Sequence, residues 1–211
     1  MIEVEKIEVM GFQGAIRGMR NPLNSWARSD STGYPHFCGI GPADLDLMKR
    51  LAAAGPEHRK FMRQIFVSMD ITAPLYWWKE FDTYKVGTTA NSCSTMHKLT
   101  AKRFTLDDFS TDHIEPEWVP VMTSMIANLN DLRDLYLQTK DKGVWYTIIQ
   151  LLPSSYNQKR TVTMTYENAF NIIQQRTGHK MDEWNTFVSK LLQLPYMQQL
   201  VSSNGASDKL E

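Results

Sequence analysis

Two stretches of this chain gather side chains that could do chemistry. The first is WWKEFDTYKVGTTANSCSTMHKL, residues 77–99. From Gly87 to His97 almost every residue is small or hydroxylic. Consecutive small residues let backbone N–H groups turn inward, and Ser and Thr hydroxyls add donors, which suits an anion. Lys85 and Lys98 bracket the stretch, with Tyr76, Trp77, Trp78 and Tyr84 as flat surfaces beside it. Phosphate donors next to flat rings point to a nucleotide or a flavin. Aromatic pairs are also ordinary core material, so a merely polar loop beside a core helix stays open as the alternative. The second stretch is NIIQQRTGHKMDEW, residues 171–184. Asn171 and Gln175 are four apart and share a helix face. With Arg176 they suit the edge of a heterocycle, and His179 follows at the entry to the next helix. An arginine in the last turn of a helix is equally at home for dipole reasons.

Other chemistries find little support. The sequence has no P-loop, GxGxxG, HExxH or GxSxG. The histidines at 36, 58, 97, 113 and 179 are scattered, so no metal site is expected. Cys93, between Ser92 and Ser94, could be a nucleophile, but no activating base can be placed beside it. Cys38 and Cys93 form no CxxC, and a reduced, cytoplasmic protein is expected. Acids and bases balance at 23 each, which argues against nucleic acid or an acidic membrane as partner. The opening MIEVEKIEVMGF does not read as a signal peptide. No apolar run approaches the roughly 20 residues of a membrane span.

The elements that must position these groups can be read in outline. Residues 2–10 alternate as a strand, with a change of register near Lys6. Residues 11–40, rich in Gly, Pro, Asn and Ser, read as an ordered loop region. GPADLDLMKRLAAAG is a helix, with Pro42 in its first turn and Gly55 as its stop. KFMRQIFVSMDI reads as a strand with Phe61, Ile65, Val67, Met69 and Ile71 on one face and Arg63 as the exception. Pro74 ends it and opens a helix over PLYWWKEFDTY, and 87–97 reads as loop. The spacing of Met122, Met125, Ile126, Leu129 and Leu132 predicts an amphipathic helix. GVWYTIIQLLP fits a helix end or a strand. YNQKRTVTMTY alternates as a strand, followed by helices over ENAFNIIQQRTG and KMDEWNTFVSKLLQ. The expectation is one α+β domain over 1–200 and a disordered tail over 201–211.

This order of parts resembles the flavin-dependent thymidylate synthases over roughly residues 44–193. The family's loop signature is Arg-His-Arg, seven residues, Ser, one residue, Arg. With Ser94 on the signature serine, Asn91 falls on the asparagine common three places earlier. Arg-His-Arg falls on Tyr84, Lys85 and Val86, the last arginine on Met96, and the glutamate beside the asparagine on Ser92. Downstream, LPSSYNQKRTVTMTY looks like the family's Leu-Pro strand. FNIIQQRTGHKMDEW looks like its asparagine, arginine, histidine and glutamate helices, with one residue fewer between Arg176 and His179.

The resemblance implies an α+β fold of that family, a mixed or antiparallel sheet with flanking helices. It implies reductive methylation of dUMP to dTMP with FAD, NADPH and methylenetetrahydrofolate, in a homotetramer whose active sites are shared between subunits. It puts Arg176 and Ser94 in catalytic positions. Lys85, Asn91, Asn171 and His179 fall on cofactor positions. Lys85, Lys98, Lys159 and Arg160 are the cations that could supply charge in place of the signature arginines. The alternative is a non-catalytic nucleotide-binding or scaffold protein that keeps the fold without the chemistry.

Overall fold

The structure, a computed structural model, describes residues 2–32 and 39–203. The chain opens with β1 (Glu3–Met10), α1 (Phe12–Arg20) and α2 (Pro42–Ala53). Then come β2 (Phe66–Pro74), α3 (Leu75–Phe81), β3 (Thr88–Ser92) and the single turn α4 (Thr95–Lys98). α5 (Val119–Thr139), α6 (Lys142–Leu151), β4 (Asn157–Thr165), α7 (Tyr166–Arg176), α8 (Asp182–Leu192) and α9 (Met197–Ser202) complete it. The strands form one four-stranded antiparallel sheet in the order β1-β2-β4-β3, so the fold is α+β with helices flanking a sheet.

Two compact units divide the chain. The first comprises Met1–Glu3, Ile71–Thr83 and Asn91–Thr161. Its core is built by α5 and α6 on the segment before them: Leu99, Phe104, Phe109, Met122, Ile126, Leu129 and Ile148. Asn130 is buried on α5. Its amide accepts from the Phe104 N–H (2.8 Å) and donates to the Phe104 carbonyl (2.9 Å), tying helix to segment. The second unit comprises Val4–Asp70, Tyr84–Ala90 and Val162–Glu211. Its buried apolar residues include Phe170, Ile173, Trp184, Phe187 and Leu191 on α7 and α8, and Val67, Met69, Val162 and Met164 on β2 and β4.

Several elements differ from the sequence expectation. Residues 12–20 are helix rather than loop. Phe12, Ala15, Ile16 and Met19 recur at helical spacing and are buried, which offsets the weak helix propensity of Gly14 and Gly18. Gly11 admits the chain at φ +100°, and a Cβ there would lie 2.2 Å from the Gln64 carbonyl oxygen. The strand expected from residue 60 begins at Phe66. Arg59–Gln64 form 3-10 turns, which bury the neighbours Phe61 and Met62 together, as a strand could not. From there Val67, Met69, Ile71 and Ala73 alternate inward as expected. Residues 88–92 are a strand rather than loop, and 142–151 resolve as helix. Lys6 has φ +52° at the expected change of register. Val201 and Ser202 belong to α9, while residues 204–211, together with His36 and Cys38, lie outside the described residues. Among the described residues no helix is long and apolar enough to cross a membrane.

Candidate functional site

Segment 84–88 runs along one stripe of α7 in the second unit. The helix starts at Thr165, whose hydroxyl accepts from the Asn168 N–H (3.2 Å), a Ser/Thr N-cap. The Thr165 N–H in turn donates to the Gly87 carbonyl (3.0 Å). Gly87 has φ +71°, and a Cβ there would meet Thr165 Cγ2 at 3.1 Å, so the approach of the two backbones favours glycine. Asn168 Nδ2 donates to the Tyr84 carbonyl (3.3 Å) and to Thr88 Oγ1. Two turns further on, Gln175 Oε1 accepts from the Tyr84 hydroxyl (3.1 Å). Positions 168, 171 and 175 therefore face this segment as an amide stripe.

Arg176 ends the stripe. Its Nε donates to the Tyr84 hydroxyl oxygen at 2.8 Å, and its guanidinium lies 4.4 Å from the centre of the Trp184 ring. Tyr84 and Trp184 meet edge to face at 5.9 Å. Nη1 is 3.1 Å from His179 Nε2. The His179 ring is fixed by the Met181 N–H on Nδ1 (3.2 Å), and its carbonyl accepts from Asn185 Nδ2 (2.9 Å). Beside the stripe opens a cleft of about 490 Å³, lined by Arg63, Val86, Gly87, Thr165, Glu167, Asn168 and Asn171. Arg63 closes one side. Its Nε and Nη2 grip the Glu167 carboxylate as a fork, and Nη2 also reaches the Pro56 carbonyl.

The sequence-derived residues separate into two groups. Arg176 and His179 come together, and Asn171 lies on the same helix in the cleft. Lys85 is exposed in segment 84–88, where its carbonyl accepts from the Thr88 N–H (3.2 Å). Asn91 and Ser94 belong to the other unit. Asn91 is exposed on β3, and the Ser94 carbonyl accepts from the Lys98 N–H (3.1 Å) to open α4. Of the remaining signature positions, Val86 is 90% exposed and Met96 48% exposed. Residues 87–97 are not a cradle of inward-turned amides: β3 bonds as a strand next to β4, and the Cys93 N–H donates to the Lys159 carbonyl (2.9 Å). Trp77 and Trp78 offer no flat surface to a ligand. They are 0% and 1% exposed, packed with Phe81, and Trp78 Nε1 donates to the Gln158 carbonyl (2.9 Å).

The sequence reading missed Tyr84 as a partner of Arg176, and the Arg63–Glu167 pair. Thr165 three residues before Asn168 was a readable cap signal. The other two pairings join residues 92 and 104 apart, and nothing local announces them.

No family model matches the chain, and no curated protein matches it in sequence. Solved structures do match. Thymidylate Synthase X (ThyX) from Helicobacter pylori, determined with FAD and dUMP, aligns at TM-score 0.73 and 17% identity over 100% of both chains. The UMP/dUMP methylase PolB from Streptomyces cacaoi, bound with 5-Br UMP, aligns at TM-score 0.69 and 12% identity. That alignment covers 98% of this chain and 96% of that one. At such identities the likeness is one of fold.

Proposed function

We propose that this chain binds a pyrimidine nucleotide of the dUMP class in the groove between segment 84–88 and α7. One observation carries the proposal: a guanidinium, Arg176, held in place at the end of an amide stripe on a fold shared with ThyX and PolB. Asn168 and Gln175 hold segment 84–88, while Asn171, which lines the cleft, offers a donor and an acceptor suited to the alternating edge of a uracil ring. The guanidinium offers only donors and keeps its charge, which suits a carbonyl or phosphate oxygen. The same reading extends to a homotetrameric assembly.

Nucleotide should then stabilise the folded chain by mass action, by about 2.7 kcal/mol at a hundred times the dissociation constant. Thermal melts with dUMP, dTMP and dCMP test this. Arg176→Ala should abolish the shift. If none of the three raises the melting temperature of the parent, the nucleotide reading is wrong.

The same resemblance extends to FAD, with NADPH and methylenetetrahydrofolate as co-substrates. The side chains at the signature positions do not fit the flavin's diphosphate. Tyr84 is engaged with Arg176, while Val86 and Met96 carry no donor, which leaves Lys85 as a single cation. A fork of guanidinium donors is not replaced by apolar side chains. The exposure of Val86 and Met96 favours the second reading, a protein that keeps nucleotide binding on this fold without the chemistry. Titration with FAD separates the two. A shifted flavin absorbance and quenched fluorescence would support an active flavoenzyme, and an unchanged spectrum the binding protein.

A further inference from the structure

We infer that Tyr84 is a positioning residue of the nucleotide site, whose phenol takes the place of a signature arginine and orients the guanidinium of Arg176. The inference rests on the nucleotide reading above and states how the site stays organised with one arginine fewer.

A phenol has one proton. Tyr84 gives it to Gln175 Oε1 (3.1 Å), which turns an oxygen lone pair toward the Nε–H of Arg176 (2.8 Å). The bonds run in one direction, from guanidinium to phenol to amide. The ring is itself placed by its edge-to-face contact with Trp184. Trp184 also lies under the guanidinium at 4.4 Å, so plane and rotation of Arg176 are both set. With Nε bonded to Tyr84, the Nη end is the end directed away from the phenol and toward His179.

The chemistry of the acceptor matters. A carboxylate in this place would orient Arg176 equally well, but it would neutralise the charge that a nucleotide oxygen needs. A neutral phenol positions the cation without itself adding a countercharge. Ordering a long side chain in advance also removes part of the conformational cost of binding.

The test is a double-mutant cycle on dUMP affinity by titration calorimetry, using the full chain with Tyr84→Phe, Arg176→Lys and both together. Tyr84→Phe keeps the ring against Trp184 and removes only the hydroxyl. It should weaken dUMP binding by roughly two- to tenfold. The unliganded melting temperature should stay nearly unchanged. Lysine has no Nε–H fork to orient, so on the Arg176→Lys background the same change should cost nothing further. Equal losses on both backgrounds, or no loss in the parent, would overturn the inference while nucleotide binding itself stood. A parent that gives no heat with dUMP would instead remove the nucleotide reading, and this inference with it. Where Arg176→Lys binds too weakly for the cycle, the Nε–H resonance of Arg176 decides by NMR. Faster solvent exchange in Tyr84→Phe than in the parent supports the inference, and equal exchange overturns it.

Discussion

Asp44 is 0% exposed, yet it is built to be charged. Its carboxylate accepts from Arg20 Nε (2.8 Å), Ser29 Oγ (2.7 Å), Ser31 Oγ (2.6 Å) and the N–H groups of Asp30 and Ser31 (3.1 Å each). Burial opposes its ionisation, but the hydrogen bonds from Ser31, Ser29 and Arg20 outweigh burial and hold its pKa below the ordinary 3.8. The unfolded chain therefore binds this proton more tightly than the folded one. The stabilisation is fully present above the ordinary value and is lost as pH falls through the lower folded value. Asp44→Asn leaves Arg20 buried without a countercharge and should cost about 3–5 kcal/mol at pH 7. Urea unfolding from pH 7 down to pH 3 should show the parent and the variant converging. A constant gap would mean the carboxylate's charge is not what stabilises. At this scale the sequence was legible where chemistry is local. Arg176 and His179 lie three residues apart and do meet. Tyr84 could be read only as a missing arginine, because what it does depends on a residue 92 positions away.

At the scale of elements, two glycines should respond in opposite ways to alanine. At Gly87 the left-handed backbone and the 3.1 Å approach to Thr165 both penalise a Cβ. Gly87→Ala should cost about 1–3 kcal/mol. It should also weaken nucleotide binding, since segment 84–88 carries Tyr84. In the interior of α1, nothing lies within 4 Å of a Cβ at Gly14. There the same substitution should gain about 0.5–1 kcal/mol. Parallel thermal melts check both signs, and a stabilised Gly87→Ala would contradict the backbone argument. Helices with clear apolar spacing, such as α2, α5, α7 and α8, could be read from sequence. Two elements could not, for physical reasons. The core face of α1 is interrupted by glycines that discourage a helix in isolation. β3, Thr-Thr-Ala-Asn-Ser, has no apolar alternation, because it is an edge strand whose residues are mostly exposed.

For the whole molecule, the proposed tetramer needs exposed apolar surface. The apolar strand β2 and the paired tryptophans are consumed inside the chain. Exposed apolar side chains on and beside α5 and α6 include Trp118 (61%), Val121 (55%), Leu135 (44%), Tyr146 (46%) and Leu151 (49%). Exposed apolar surface of this kind can serve association. Light scattering at micromolar concentration should give four times the 24.3 kDa chain mass. Val121→Glu with Leu135→Glu should lower it while the circular dichroism stays native. A monomer mass for the parent would end the shared-site picture.

The bond between Arg176 and Tyr84 also sets a clock. It spans 92 residues, and the Ser68–Thr163 contact between β2 and β4 spans 95. As the chain leaves the ribosome, Tyr84 emerges long before α7 exists to receive it. At about 5–20 residues per second that interval is of order 5–20 s. Through that interval β2, with its run of Val67, Met69, Ile71 and Ala73, has β1 to pair with but waits without β4 on its other side. Contacts this distant in sequence form late and slowly. The groove is therefore among the last features of the nascent molecule to exist, and the open β4-side edge of β2 is what a chaperone would have to shield until it does.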